Sequence, residues 1–231
     1  MFKKSTYDIE ISKVPKELKK HFESDQLIKR YQETVIDRHI INQCTSPQQY
    51  FTTFCGPQIP WELNIPYELD ELSHFFIGHE IMHILAQGEN FEEWKYLLLY
   101  SDVIPMLYEL IQSYDKDEKT KQKIINWRLA QMLKMYNNAF NTRVIEKLQE
   151  DKDALKYYQM PENQYFISFY YTVLLYSLYC EDSKTVIQGI RDVLYQKITT
   201  QKMLEQFGML NHLDASSFEK GYSLILKNHK H

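Results

Sequence analysis

The chain is poor in the residues that make tight turns. Its 231 residues include only six glycines and seven prolines, where average usage of about 7% and 5% would give roughly 28 together. Strands that reverse every few residues depend on glycine and proline for positive φ and fixed turns. A sandwich or barrel of many short strands is therefore excluded, and a mainly α chain is expected. With 44% hydrophobic, 25% charged and 14% aromatic residues, the composition is that of a globular protein and excludes a disordered or collagen-like one. The length suits a single domain over 1–231, with no repeat and no interdomain linker.

The net charge is -4 and the isoelectric point about 6.1. Lysine and arginine are interspersed with acidic residues, so the basic footprint of a nucleic-acid binder is absent and no nucleic-acid partner is expected. Cys44, Cys55 and Cys180 form no C-x-x-C pair, which argues against a disulfide framework and for a reducing, cytoplasmic setting. The opening residues lack the apolar body of a signal peptide. The uncharged stretch NQYFISFYYTVLLYSLYC at 163–180 holds five tyrosines besides asparagine, glutamine, serine and threonine, and has acidic flanks. That composition predicts a buried helix of a soluble protein, not a membrane span, so no membrane partner is expected.

Apolar spacing predicts helices over 15–43, 69–87, 91–114 (interrupted or kinked at Pro105), 122–148, 163–181, 184–199 and 215–227. Pro15 is expected in a first helical turn, and Gly88 as the stop after 87. The aromatic and β-branched run at 50–55 is the best strand. Gly56, Pro57, Pro60 and Pro66 are expected to break regular structure up to about 67.

Within the helix at 69–87 lies His79-Glu80-Ile81-Met82-His83. At about 100° per residue the two histidines stand 40° apart on one face, one turn from each other. Two imidazoles so placed can share one tetrahedral cation. Glu80, 100° round from His79, reaches a water on that cation without being a ligand, which is general-base geometry. Zinc (Zn2+) suits two imidazoles plus oxygen donors. The chance of such a motif arising at random in a chain this long is roughly 2%. The competing reading is a pair of core histidines bonded to backbone with an incidental glutamate. Burying those groups without a cation is costly, and this favours the metal site. Gly78 allows close approach of another backbone or a substrate, or is a small residue at a packing contact.

The motif resembles the signature of the zincin metallopeptidases, over about 20 residues of the chain. The resemblance implies zinc ligation by His79 and His83, catalysis by Glu80 as base, and hydrolysis of a protein or peptide substrate by zinc-activated water. It also implies a mainly α, single-domain zincin-like fold with at most a small β-sheet before the active-site helix. The strand at 50–55 would then be the edge strand beside the substrate.

A metzincin would need Gly at 86 and His at 89, where this chain has Ala86 and Glu89. A gluzincin-like enzyme takes its third ligand from a later helix. Glu109, 26 residues after His83 and set among apolar neighbours, is one candidate; its alternative is an exposed position on an amphipathic helix. Glu146 is the other, in a segment Asn137 to Glu146 similar to a helix of some helical metallopeptidases. Glu89, Glu92 and Glu93 rank below them. His74 is 140° from His79 and is not expected at the metal. His212 or a tyrosine is a weak candidate for stabilising an oxyanion. The many aromatic residues either line an apolar cleft, implying bulky hydrophobic side chains in the substrate, or are core. The alternative function is a non-catalytic helical binding or regulatory protein with a structural or degenerate zinc site.

Overall fold

The computed structural model describes residues 6–37, 41–44, 51–54, 61–66, 73–87, 100–114, 116–124, 164–210 and 215–227. The expected helix at 122–148 falls outside them beyond residue 124. The chain is mainly α, with one small three-stranded sheet before the helix that carries the histidine motif.

The first helical stretch is not one helix over 15–43. Helix α1 (Thr6–Phe22) starts earlier, so Pro15 lies inside it and not in its first turn. It stops at Glu23, which takes a positive φ of 48° and returns its N–H to the Lys19 carbonyl at 2.8 Å. Ser24 then accepts the Leu27 N–H and caps α2 (Asp25–Tyr31), which runs on as a π-helical turn over Gln32–Ile36. The chain break is thus made by an ordinary N-cap serine. Leu18, Phe22, Leu27, Tyr31 and Val35 are buried, as the helical spacing requires, despite the break.

Strand β1 (Ile41–Cys44) occupies what was expected to be the end of that helix. Strand β2 (Phe51–Phe54) matches the expected strand. Strand β3 (Trp61–Pro66) forms where proline was expected to break structure. It is the middle strand, parallel to β1 with Ile41 opposite Leu63, and antiparallel to β2 with Phe54 opposite Trp61. Pro66 ends the strand, where proline is tolerated. Leu63 and Ile65 are buried while Glu62 and Asn64, which alternate with them, are partly exposed, the period-2 signature of a half-buried strand. Strands β2 and β3 lie against the next helix.

That helix, α3 (Ser73–Gln87), is hydrophobic nearly all round, and Phe75, Phe76, Ile77, Ile81, Met82, Ile84 and Leu85 are buried. Its most extensive contact is with α4 (Val103–Tyr114). Of the helix expected over 91–114, residues 91–99 lie outside the described residues; α4 begins at Val103, and the Asp102 carbonyl accepts its first hydrogen bond, from Met106 N–H at 2.9 Å. Pro105 sits in the first turn, where its missing N–H is no loss.

Helix α5 (Gln164–Glu181) is the tyrosine-rich stretch. It packs on α4, α6 and α8, and the Thr172 hydroxyl joins it to α4 at the Val103 carbonyl, 3.2 Å away. Among the described residues no helix is long and apolar enough to cross a membrane. The helix expected over 184–199 ends at 194, and a further helix that was not expected starts at 200. Helix α6 (Ser183–Leu194), capped by Asp182, ends before Gln196 at φ 57°, and α7 (Thr200–Gln206) is capped by Thr199. Helix α8 (Ala215–Lys227) crosses α5 closely at Gly221, where a Cβ would meet the Val173 carbonyl oxygen at 2.7 Å. The described aromatic residues join this core: Phe218 stacks on Tyr170 with centroids 5.6 Å apart.

Helix α1 is fastened to the residues after α4 by Glu17, which accepts a hydrogen bond from His21 at 3.2 Å and faces the Lys116 ammonium at 3.4 Å. The His21 hydrogen bond and the Lys116 charge outweigh desolvation and hold the Glu17 carboxyl at about 2, against an ordinary 4.5. A carboxyl more acidic in the folded state stabilises fully above its unfolded pKa, and that contribution is lost as pH falls towards the folded one. Glu17→Gln is therefore expected to lower stability at pH 7 by on the order of 1 kcal/mol. It should also flatten the dependence of unfolding free energy on pH between 4.5 and 2, read from urea titrations across that range.

Candidate metal centre

His79 and His83 project from one face of α3 into its contact with α4. Their Nε2 atoms are 3.2 Å apart, and the rings meet edge to face with centroids 4.9 Å apart. The Asp102 carboxylate, at the start of α4, completes a triangle: Oδ1 is 3.4 Å from each Nε2. The three form a group able to hold a metal ion. Asp102 Oδ2 accepts a hydrogen bond from the Ser101 hydroxyl at 3.1 Å, leaving Oδ1 to the histidines.

Glu109 stands on the other side of the His79 ring. Its Oε1 is 2.7 Å from Nδ1, and its side chain is only 1% exposed. A carboxylate only accepts, so Nδ1 donates to Glu109 while Nε2 faces His83 and Asp102. Contacts His79–Glu109 and His83–Asp102 together show α3 and α4 running antiparallel.

The electrostatics follow from burial. Desolvation alone would raise the Asp102 carboxyl, but His83 and His79 facing it outweigh that and hold it well below the usual carboxylate range. Glu80 is buried on α3, and Asp102 and Glu109 are buried against the two histidines, so this helix pair encloses at least two carboxyl groups and two imidazoles within an apolar surround. Such an arrangement needs positive charge close by. Donors shared by a tetrahedral zinc at about 2.0–2.1 Å lie roughly 3.3–3.4 Å from one another. The observed edges of 3.2, 3.4 and 3.4 Å fit that cation.

The structure thus brings His79 and His83 together and keeps Glu80 beside them on α3. It places Glu109 at Nδ1 of His79, outside the triangle of donors. Glu146, the other candidate third ligand, lies outside the described residues, as do Glu89, Glu92, Glu93 and His212, and the His74 side chain is not described. Asp102 was not singled out in the sequence. Its signal lies in spacing: Asp102 precedes Glu109 by seven residues, about 700° of helix, which puts both carboxylates on one face. No protein-family model, curated protein or solved structure matches the chain.

Gly78 is a packing contact. A Cβ there would meet Tyr108 Cε1 at 2.9 Å and Gln112 Nε2 at 3.2 Å. Tyr108 has little room to yield, being buried and stacked on Phe22 at 5.7 Å. For Gly78→Ala, an overpacking cost of about 1–3 kcal/mol competes with a helix-propensity gain of about 1 kcal/mol. A net loss of stability is expected in urea unfolding as α3 is pushed from α4. A variant as stable as the parent would show that the contact is loose.

Proposed function

We propose that this chain is a zinc-dependent metallopeptidase whose ion is held by His79, His83 and Asp102. The observation that carries the reading is the triangle of His79 Nε2, His83 Nε2 and Asp102 Oδ1, with edges of 3.2–3.4 Å. Zinc in such a site supplies Lewis-acid activation of water and of the scissile carbonyl. Glu80 is the general base: it takes the proton of the attacking water and passes it to the leaving amine. Among the described residues β2 is an edge strand, and it lies against α3. An extended peptide laid along that edge finds main-chain partners there, in the manner of strand addition. An exposed cysteine at position 180 accords with a reducing, cytoplasmic setting.

The donors themselves are largely covered, with side-chain exposures of 8%, 12% and 6% for His79, His83 and Asp102. That burial favours a second reading, in which the same zinc is structural and the chain is a binding or regulatory protein. Both readings expect about one zinc per chain by elemental analysis and loss of it in Asp102→Asn. Only the peptidase reading expects the native chain to cleave a mixed fluorogenic peptide library. In that reading Glu80→Gln lowers cleavage by at least roughly 10²–10⁴-fold with zinc content and fold intact. Loss of zinc in Glu80→Gln would overturn the assignment of Glu80 as base. One zinc per chain without cleavage would leave the structural reading.

A further inference from the structure

We propose that Glu109 is a positioning residue of the metal centre: it holds His79 in the tautomer and ring orientation that ligation requires, and is not itself a ligand. The inference rests on the zinc reading above and assigns a different task to each carboxylate of α4. Asp102 Oδ1 faces both Nε2 atoms at 3.4 Å. Glu109 Oε1 meets the opposite nitrogen of the same His79 ring at 2.7 Å. The short distance is that of a charge-assisted hydrogen bond.

An imidazole has one lone pair to give a metal, and the hydrogen bond at the other nitrogen decides where it points. With Nδ1–H committed to Glu109, the lone pair is at Nε2, on the side of His83 and Asp102. A carboxylate acceptor also makes the ring a stronger donor, and partners of this kind contribute about 10–100-fold to metal affinity in other sites. Two features keep Glu109 in this task. It is almost fully buried on α4, so its rotamer is confined. Asp102, two helical turns before it, already occupies the position facing both Nε2 atoms, with Ser101 bonded to its second oxygen.

The test uses the full chain and zinc alone. In the metal-free protein, long-range proton–nitrogen correlation of ¹⁵N-labelled histidines should show His79 with a protonated Nδ1. In Glu109→Gln that signature should weaken or move to the Nε2–H form. Zinc affinity, measured against a chromogenic chelator, should fall about 10–100-fold while far-ultraviolet circular dichroism is unchanged. Glu109→Asp keeps the charge and shortens the reach, so it should lie between the two; it also carries the test if the Gln variant does not fold.

Unchanged affinity with an unchanged ring signature in Glu109→Gln overturns the inference. So does a loss of zinc as complete as in Asp102→Asn, which would make Glu109 a ligand. A native chain that takes up no zinc sinks the zinc reading instead. In that case the ring signature still decides whether Glu109 orients His79.

Discussion

The close antiparallel seating of α3 on α4 is the contact on which the remainder depends. It is set by a missing side chain: Gly78 lets the Tyr108 ring lie against the α3 backbone, and Tyr108 is in turn stacked on Phe22 of α1. At that separation Glu109 reaches one nitrogen of His79 while Asp102 reaches the other side of the ring. A wider spacing would leave the carboxylates buried and unsatisfied, at a cost of several kcal/mol per charge. The packing of apolar side chains and the chemistry of the polar ones are therefore a single geometric condition.

Much of this was legible in the sequence because it follows from local rules. Scarce glycine and proline marked a helical chain, and the i, i+4 histidines could meet only on a helix. Tyrosine hydroxyls marked α5 as a core helix. The failures have local causes too. The helix over 15–43 looked continuous because the apolar period survives the Glu23–Ser24 break, so Ser24-Asp25, an N-cap in plain view, was read through. Strand β3 was lost because Pro57, Pro60 and Pro66 were weighed as breakers, although Pro66 sits at the strand end and Trp61–Ile65 alternates. Pro105 was taken for an interruption or kink inside a helix because the expected helix ran through Ser101 and Asp102, which lie before the start of α4.

The site was half legible for a different reason. Spacing along one helix is local, and it delivered His79, Glu80 and His83. The partners on α4 depend on which face of a second helix meets the first, which is tertiary information. Glu109 stood out as an acid in an apolar run, and that signal was sound. Its task was not readable, because ligand and hydrogen-bond partner of a ligand are chemically the same residue type. Asp102 was hidden because the helix expected over 91–114 ran through it, so its place at the start of α4, facing α3, did not show.

These carboxyl groups bear on why such an interface exists. Helices as apolar as α3 and α4 would pack at least as stably with hydrophobic residues at 79, 102 and 109, since buried ionic groups replaced by well-packed apolar ones are commonly neutral or stabilising by about 1–4 kcal/mol. Local consistency between sequence and fold is otherwise high here, in capped helices and an alternating strand, so the polar cluster is the place where the chain departs from it. Departures of that kind concentrate where function requires them. A purely structural role needs the charges to be balanced, which His79, His83 and a dication achieve with Asp102 and Glu109. Glu80, a third buried acid, stands next to the first histidine on α3. The proposed peptidase gives that carboxyl group a task, carrying a proton, which a centre that only ties two helices together does not.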